Sequence, residues 1–151
     1  MKKETHAHSG HYFNFYIPEV SAEQMIESMD NCDIDIACIT PNYGLVDDIV
    51  KGNNEVLRIV NKYPTRFKGY VCINPYYPES IKTDLHRCID NPNILGGKIH
   101  HTCHKSSIAN KEYEYAYGFL NERKAVLLYH CFDMETIKEI ERVSKKYKDM
   151  S

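Results

Sequence analysis

The sequence predicts an α/β protein of about five parallel strands with outer helices, arranged as a partial TIM-type (β/α) barrel. Apolar strand-like segments alternate with amphipathic helix-like segments along all 151 residues. Their centres recur roughly every 30 residues, the length of a strand plus its crossover helix. Polar residues also fall at the carboxyl ends of several strands, where barrel enzymes assemble their sites. A doubly wound sheet fits the spacing too, but its phosphate- or nucleotide-binding loop is not found.

The first strand-like segment contains Glu4-Thr5-His6-Ala7-His8. Successive side chains of a strand alternate between its faces, so Glu4, His6 and His8 are expected to share one face. Two imidazoles on one face can bind one metal ion. A bare pair of histidines is also typical of a solvated terminus, so this motif needs support from the rest of the chain.

The remaining elements follow in order. Residues 11–18 are rich in aromatic rings and are expected to cap a pocket, and Ser21 begins a capping box that predicts the first helix. Alternating runs of strand and helix pattern then predict strands at 35–40, 67–73, 95–100 and 126–130, with helices at 56–63, 81–89, 113–120 and 137–147. The glycines of the fourth strand suggest close approach of a neighbouring backbone.

Length and composition predict one domain, 1–151, that lies in the cytoplasm. Lys+Arg 19 against Asp+Glu 21 gives a net charge of −2, so no nucleic-acid partner is expected. No apolar run reaches the ~20 residues of a membrane helix, and the polar start lacks a signal-peptide core. The six cysteines form no C-x-x-C pair and are expected to be free thiols.

Four further residues are singled out by their positions near strand ends. Lys98 and His100 share a face by alternation, and Lys98 is interpreted as a structural ion pair or a substrate contact. His104 follows in a loop and is interpreted as a surface residue and a possible substrate contact. His130 lies on the inward face of the fifth strand, where it is either a metal ligand or a hydrogen-bonded core histidine.

Six segments together resemble a known family almost end to end and in register: Glu4-Thr5-His6-Ala7-His8, 29–35, 63–67, 73–78, Gly96-Gly97-Lys98-Ile99-His100 and 126–130. The chain resembles the amidohydrolase-related metal-dependent hydrolases, the branch that includes aminocarboxymuconate-semialdehyde decarboxylase. The resemblance implies a (β/α)₈ barrel truncated after the fifth βα unit. It also implies a divalent metal, with zinc expected, held by His6, His8 and His130. The family's aspartate two residues before the first histidine is Glu4 here, and its sixth-strand histidine and eighth-strand aspartate have no counterpart.

The resemblance further implies hydrolysis of an amide, ester or lactone of a small molecule by metal-activated water. Two alternatives stay open: a metal-dependent decarboxylase of the same family, and a non-catalytic truncated or split-barrel fragment. Lys98, His100 and His104 are the expected substrate contacts. Open strand edges predict a homo-oligomer or a C-terminal half-barrel partner. Because a flat sheet separates strands one and five by ~19 Å, a shared metal requires the sheet to curl.

Overall fold

Five parallel strands form a single sheet in the order in which they occur along the chain. A computed structural model describes residues 1–14, 16–18 and 20–151. The strands are β1 (Lys3–Ser9), β2 (Ile36–Pro41), β3 (Phe67–Cys72), β4 (Ile94–Ile99) and β5 (Val126–Tyr129). The aromatic segment 11–18 includes Phe15, which lies outside the described residues, so its capping of a pocket stays a prediction.

Helices follow the strands as crossover connections. They are α1 (Ala22–Asn31), α2 (Asn42–Val46), α3 (Ile49–Lys62), α4 (Pro78–Cys88), α5 (His101–His104), α6 (Glu114–Glu122) and α7 (Met134–Lys146), with a 3₁₀ turn at Lys111–Tyr113. Ser21 caps α1 as predicted, because its hydroxyl accepts the backbone N–H of Gln24 at 3.2 Å. The short helices α2 and α5 were not predicted.

The strand order confirms the partial barrel. Every neighbouring pair is parallel and consecutive in sequence, which is the arrangement of repeated right-handed βα units curling in one direction. A doubly wound sheet reverses its strand order at one point, and this sheet does not. The five strands form a curled half-barrel whose inner face carries the polar residues.

The apolar core lies between the outer face of the sheet and the helices. Ile39, Phe67, Leu85 and Leu120 are completely buried in it. Gly96 fits here because a Cβ at this position would overlap the carbonyl group of Val126 on the adjacent strand. The expected close approach of two backbones is therefore confirmed at Gly96.

A bulge in β1 changes which residues face the interior. Between Glu4 and Ala7, β1 advances three residues while β2 advances two. Paired residues of parallel strands point the same way, so Glu4 lies with Ala7 on the outer face, where both line a groove beside α1. His6 and His8 stay together, but the expectation that Glu4 shares their face is wrong, because the extra residue shifts the alternation.

All six cysteines are free thiols, as predicted. Within the described ranges, no helix is long and apolar enough to cross a membrane.

Candidate active site

The inner face of β1 brings two histidine rings together. The ring centroids of His6 and His8 lie 5.1 Å apart, and their Nε2 atoms are separated by 3.2 Å. Two nitrogens bonded to one tetrahedral ion at ~2.0–2.1 Å lie about 3.3–3.4 Å apart. The separation of the two Nε2 atoms therefore suits a shared metal ion.

Lys98 extends from β4 to the same point. Its side chain is fully buried, and its Nζ lies 3.2 Å from His6 Nε2. An ammonium group has donors and no acceptor, so His6 Nε2 must be the acceptor and carries no proton. No ion pair joins Lys98 to a carboxylate in the part of the chain that the structure describes.

Burial disfavours the charged forms of these groups. It is the main cause that lowers the pKa of His8 to about 4, and His6, Lys98 and His130 add to the effect. Burial, followed by the charge of Lys98, also lowers the pKa of His6. For Lys98, burial lowers the pKa to about 8. Both histidines of β1 are therefore neutral at pH 7, which is the form that binds metal.

His130 follows β5 and stacks on His100, which follows β4. Their ring centroids are 3.6 Å apart, with the planes inclined by 17°. Burial is the main cause that lowers the pKa of His130 to about 4 and that of His100 to about 3. His130 also adds to the lowered pKa of His8.

The orientation of His100 is set by the first turn of α5. Its Nδ1 accepts the backbone N–H of Cys103 at 3.3 Å and lies 3.0 Å from the hydroxyl of Thr102. The neutral ring therefore carries its proton on Nε2, which lies 3.7 Å from Cys103 Sγ. The thiol in turn lies 3.8 Å from the Tyr12 hydroxyl. Sequence reasoning missed Cys103, although its i+3 spacing from His100 was available.

His104 is buried rather than exposed. Only 3% of the residue is accessible, and its Nδ1 lies 3.4 Å from the hydroxyl of Tyr113. The expectation that it lies on the surface is wrong, because the unpredicted helix α5 turns the chain back into the core. A cavity of about 380 Å³ is lined by His104 and Cys103 together with Asn74, Tyr76 and Tyr77. The role of His104 as a substrate contact stays a prediction.

The residues fit a metal ion in part. Among the described residues, no group of three or more His, Cys, Asp and Glu side chains is arranged to hold one. His6 and His8 have suitable spacing, whereas the third predicted ligand, His130, is engaged with His100. His8 Nδ1 is buried without a hydrogen-bond partner in the described part of the chain, whereas a metal-binding histidine normally donates from its second nitrogen. The pair of histidines therefore fits a shared ion, but in the described part of the chain no hydrogen bond to Nδ1 of His8 holds that ring in place.

A comparison with known protein families supports the same fold and shows the family to which the chain belongs. The sequence matches the amidohydrolase family over residues 43–150. This chain therefore belongs to the amidohydrolase family. A search of curated proteins gives no match.

Solved structures share the architecture at low sequence identity. A manganese-bound 5-carboxyvanillate decarboxylase from Novosphingobium aromaticivorans superposes with a TM-score of 0.80 at 16% identity, covering 100% of this chain and 64% of that one. A 2,6-dihydroxybenzoate decarboxylase from Rhizobium superposes with a TM-score of 0.73 at 11% identity, covering 100% of this chain and 65% of that one. A 4-oxalomesaconate hydratase from Rhodopseudomonas palustris superposes with a TM-score of 0.73 at 12% identity, covering 100% of this chain and 61% of that one. The chain thus spans less than two thirds of these proteins.

Proposed function

We propose that this chain carries the metal-binding part of an amidohydrolase-type active site that acts on a small molecule, with hydrolysis of an amide, ester or lactone as the reaction. The observation that carries the proposal is the convergence of His6, His8 and Lys98, with contacts of 3.2 Å, on the inner face of the half-barrel. Family membership adds a divalent metal to this arrangement.

His6 and His8 hold the ion in this proposal, and His130 joins them once it separates from His100. When bound, a divalent ion polarises a substrate oxygen and activates water for attack. Zinc is the metal expected from imidazole ligands, while the similar decarboxylase structure contains manganese.

The other residues bind and orient the substrate. Lys98 is a buried cation without a carboxylate ion-pair partner in the described ranges, so a substrate oxygen or carboxylate can supply the missing negative charge. His100 presents a protonated Nε2 that can donate to a carbonyl group. The cavity beside Cys103 and His104 gives room for a small ring between tyrosine side chains.

Metal binding tests the proposal directly. Purified protein is expected to hold about one divalent ion per chain, measured by mass spectrometry of the metal, because two neutral imidazoles are preorganised for it. His6→Ala and His8→Ala should each remove the ion, while the matched change His86→Ala, at an exposed position on α4, should leave it in place. Metal well below one per chain in the wild type rejects the proposal.

Decarboxylation is the second reaction that a specific observation favours. A buried ammonium beside the histidine pair is suited to a carboxylate substrate, and two of the similar structures are decarboxylases of aromatic acids. Measuring carbon dioxide release against release of a new carboxylic acid, with the metal-loaded protein, separates the two reactions. Stoichiometric metal without either product supports the non-catalytic fragment.

A further inference from the structure

The unprotonated nitrogen of His6 has two close neighbours. His8 Nε2 and Lys98 Nζ each lie 3.2 Å from His6 Nε2. An imidazole nitrogen has a single lone pair, which can accept a hydrogen bond or bind a metal but cannot do both. The contact from Lys98 therefore occupies the lone pair that a metal ion needs.

Geometry also places the ion close to the ammonium group. An ion bonded to His6 Nε2 at ~2.0–2.1 Å cannot lie more than about 5.3 Å from Lys98 Nζ while the 3.2 Å contact persists. Like charges at that separation repel strongly in a buried position. No ion pair with a carboxylate offsets the charge of Lys98 in the described part of the chain.

We propose that Lys98 is a gate for the metal, in which its ammonium group and a divalent ion compete for His6 Nε2. The ion binds when the Lys98 side chain leaves, and the side chain returns when the ion is lost. Lys98 thus positions His6 while the site is empty and weakens metal affinity. This inference rests on the proposed metal site.

The test compares dissociation constants of Zn²⁺ and Mn²⁺ at one fixed pH by calorimetry. Lys98→Met removes the charge and shortens the side chain by one atom, and it should bind at least about tenfold more tightly than the wild type. The matched control Lys68→Met removes another half-buried lysine, whose Nζ contacts Asn93, and should not change affinity. His8→Ala in the Lys98→Met background should abolish binding at this site.

Each outcome decides between the two proposals. Weaker or equal binding by Lys98→Met rejects the gate, and weaker binding means that Lys98 supports the ion. Tighter binding by Lys98→Met than by a wild type that does bind metal supports the gate. If neither protein binds metal, both the gate and the proposed function fail. If Lys98→Met binds metal and the added His8→Ala change removes this binding, the ion is bound at the histidine pair.

A second measurement uses the unaltered protein, so it does not depend on how the variant folds. Acetylation of lysines by an N-hydroxysuccinimide ester is followed by peptide mass spectrometry with and without saturating Mn²⁺. Displacement of Lys98 from His6 should raise its labelling several-fold, while labelling of Lys68 stays constant. Unchanged labelling of Lys98 in protein that has bound Mn²⁺ rejects the gate.

Discussion

At the scale of single residues, the contact between β4 and β5 depends on the missing side chain of Gly96. A Cβ there would overlap the carbonyl of Val126, and a backbone group cannot rotate away as a side chain can. Gly96→Ala is therefore expected to lower the free energy of unfolding by roughly 2–3 kcal/mol. Urea unfolding followed by circular dichroism measures the change.

Gly118 provides the matched control for this substitution. It lies in α6, and a Cβ added there meets nothing within 4 Å. Gly118→Ala should stabilise the protein by about 0.5–1 kcal/mol, because alanine loses less backbone entropy in a helix. Equal effects of the two substitutions would contradict the role assigned to Gly96.

His104 should make stability depend on pH. Burial is the main cause that lowers its pKa from 6.5 to about 4, so between these values the unfolded chain binds a proton that the folded chain excludes. The contribution of neutral His104 to the free energy of unfolding is fully present above pH 6.5. It is lost as pH falls toward 4, by about 3 kcal/mol at most. His104→Gln should flatten this loss in unfolding curves recorded from pH 7 to pH 4 with a chelator present.

The comparison for His104 is His86, which lies exposed on α4. His86→Gln should keep the steep acid dependence of the wild type. An unchanged slope in His104→Gln would show that this ring does not contribute to acid destabilisation. His104 also adds to the lowered pKa of His100, so the difference between the two variants reports His104 together with this coupling.

Sequence alone predicted that His6 and His8 share a face, but it did not give the directions of all the neighbouring side chains. The spacing of His6 and His8 predicts that their side chains share a face, and the two rings do lie together, although the register shift between Glu4 and Ala7 includes His6. Alternation failed for Glu4, where one extra residue reverses the face, and no composition signal marks such a bulge. The hydrogen bond between Lys98 and His6 depends on the curl of the sheet, which periodicity does not describe.

At the scale of elements, α3 and α4 fasten the carboxyl end of β3 through a buried amide. Asn53 accepts the N–H of Cys72 at 2.8 Å and donates to its carbonyl at 3.2 Å and to Asp84 at 2.6 Å. Asp84 also accepts Arg87 Nε at 2.6 Å. Asn53→Ala leaves these buried groups without partners and should lower the free energy of unfolding by roughly 2–4 kcal/mol. Thermal or urea unfolding measures the change.

The neighbouring Asn54 is the control for Asn53. Its exposed side chain accepts a hydrogen bond from Arg87 at 2.7 Å, and water can replace that contact. Asn54→Ala should change stability by less than about 0.5 kcal/mol. A similar loss for both substitutions would show that the cost belongs to the helix and not to the buried network.

The elements that sequence reasoning missed share a physical property. The helices α2 and α5 span five and four residues, too few for a repeating apolar stripe, so periodicity cannot detect them. Both follow strands at the mouth of the half-barrel. The error at His104 follows from missing α5, whereas the longer helices were predicted because their apolar residues repeat over several turns.

At the scale of the whole molecule, the sheet ends in two strands with one neighbour each among the described residues. The order of strands was predictable, since consecutive right-handed crossovers leave little choice of topology. At the β5 edge, Ser151 donates its N–H to the carbonyl of Ala125 and accepts the N–H of Leu127. This is parallel pairing, and it covers only the beginning of β5.

Apolar side chains that follow β5 along the chain face solvent, and we expect the chain to self-associate at this flank. Phe132 is 82% exposed, Met134 65% and Ile137 47%, and an uncovered strand edge favours pairing with another chain. Light scattering should give a mass above the 17.6 kDa of one chain that rises with concentration. Replacing Phe132 by serine and Ile137 by lysine should shift the protein toward the monomer, because both changes make burial of this flank unfavourable.

Val50 separates an effect of this flank from a general effect of added charge. It is 42% exposed on α3, away from both edge strands, so Val50→Lys should leave the association unchanged. A monomeric mass at every concentration would contradict this prediction and would show that the apolar flank stays exposed to solvent. If Val50→Lys dissociates the protein as well as the edge variant does, the association arises from net charge, and the β5 edge is not its cause.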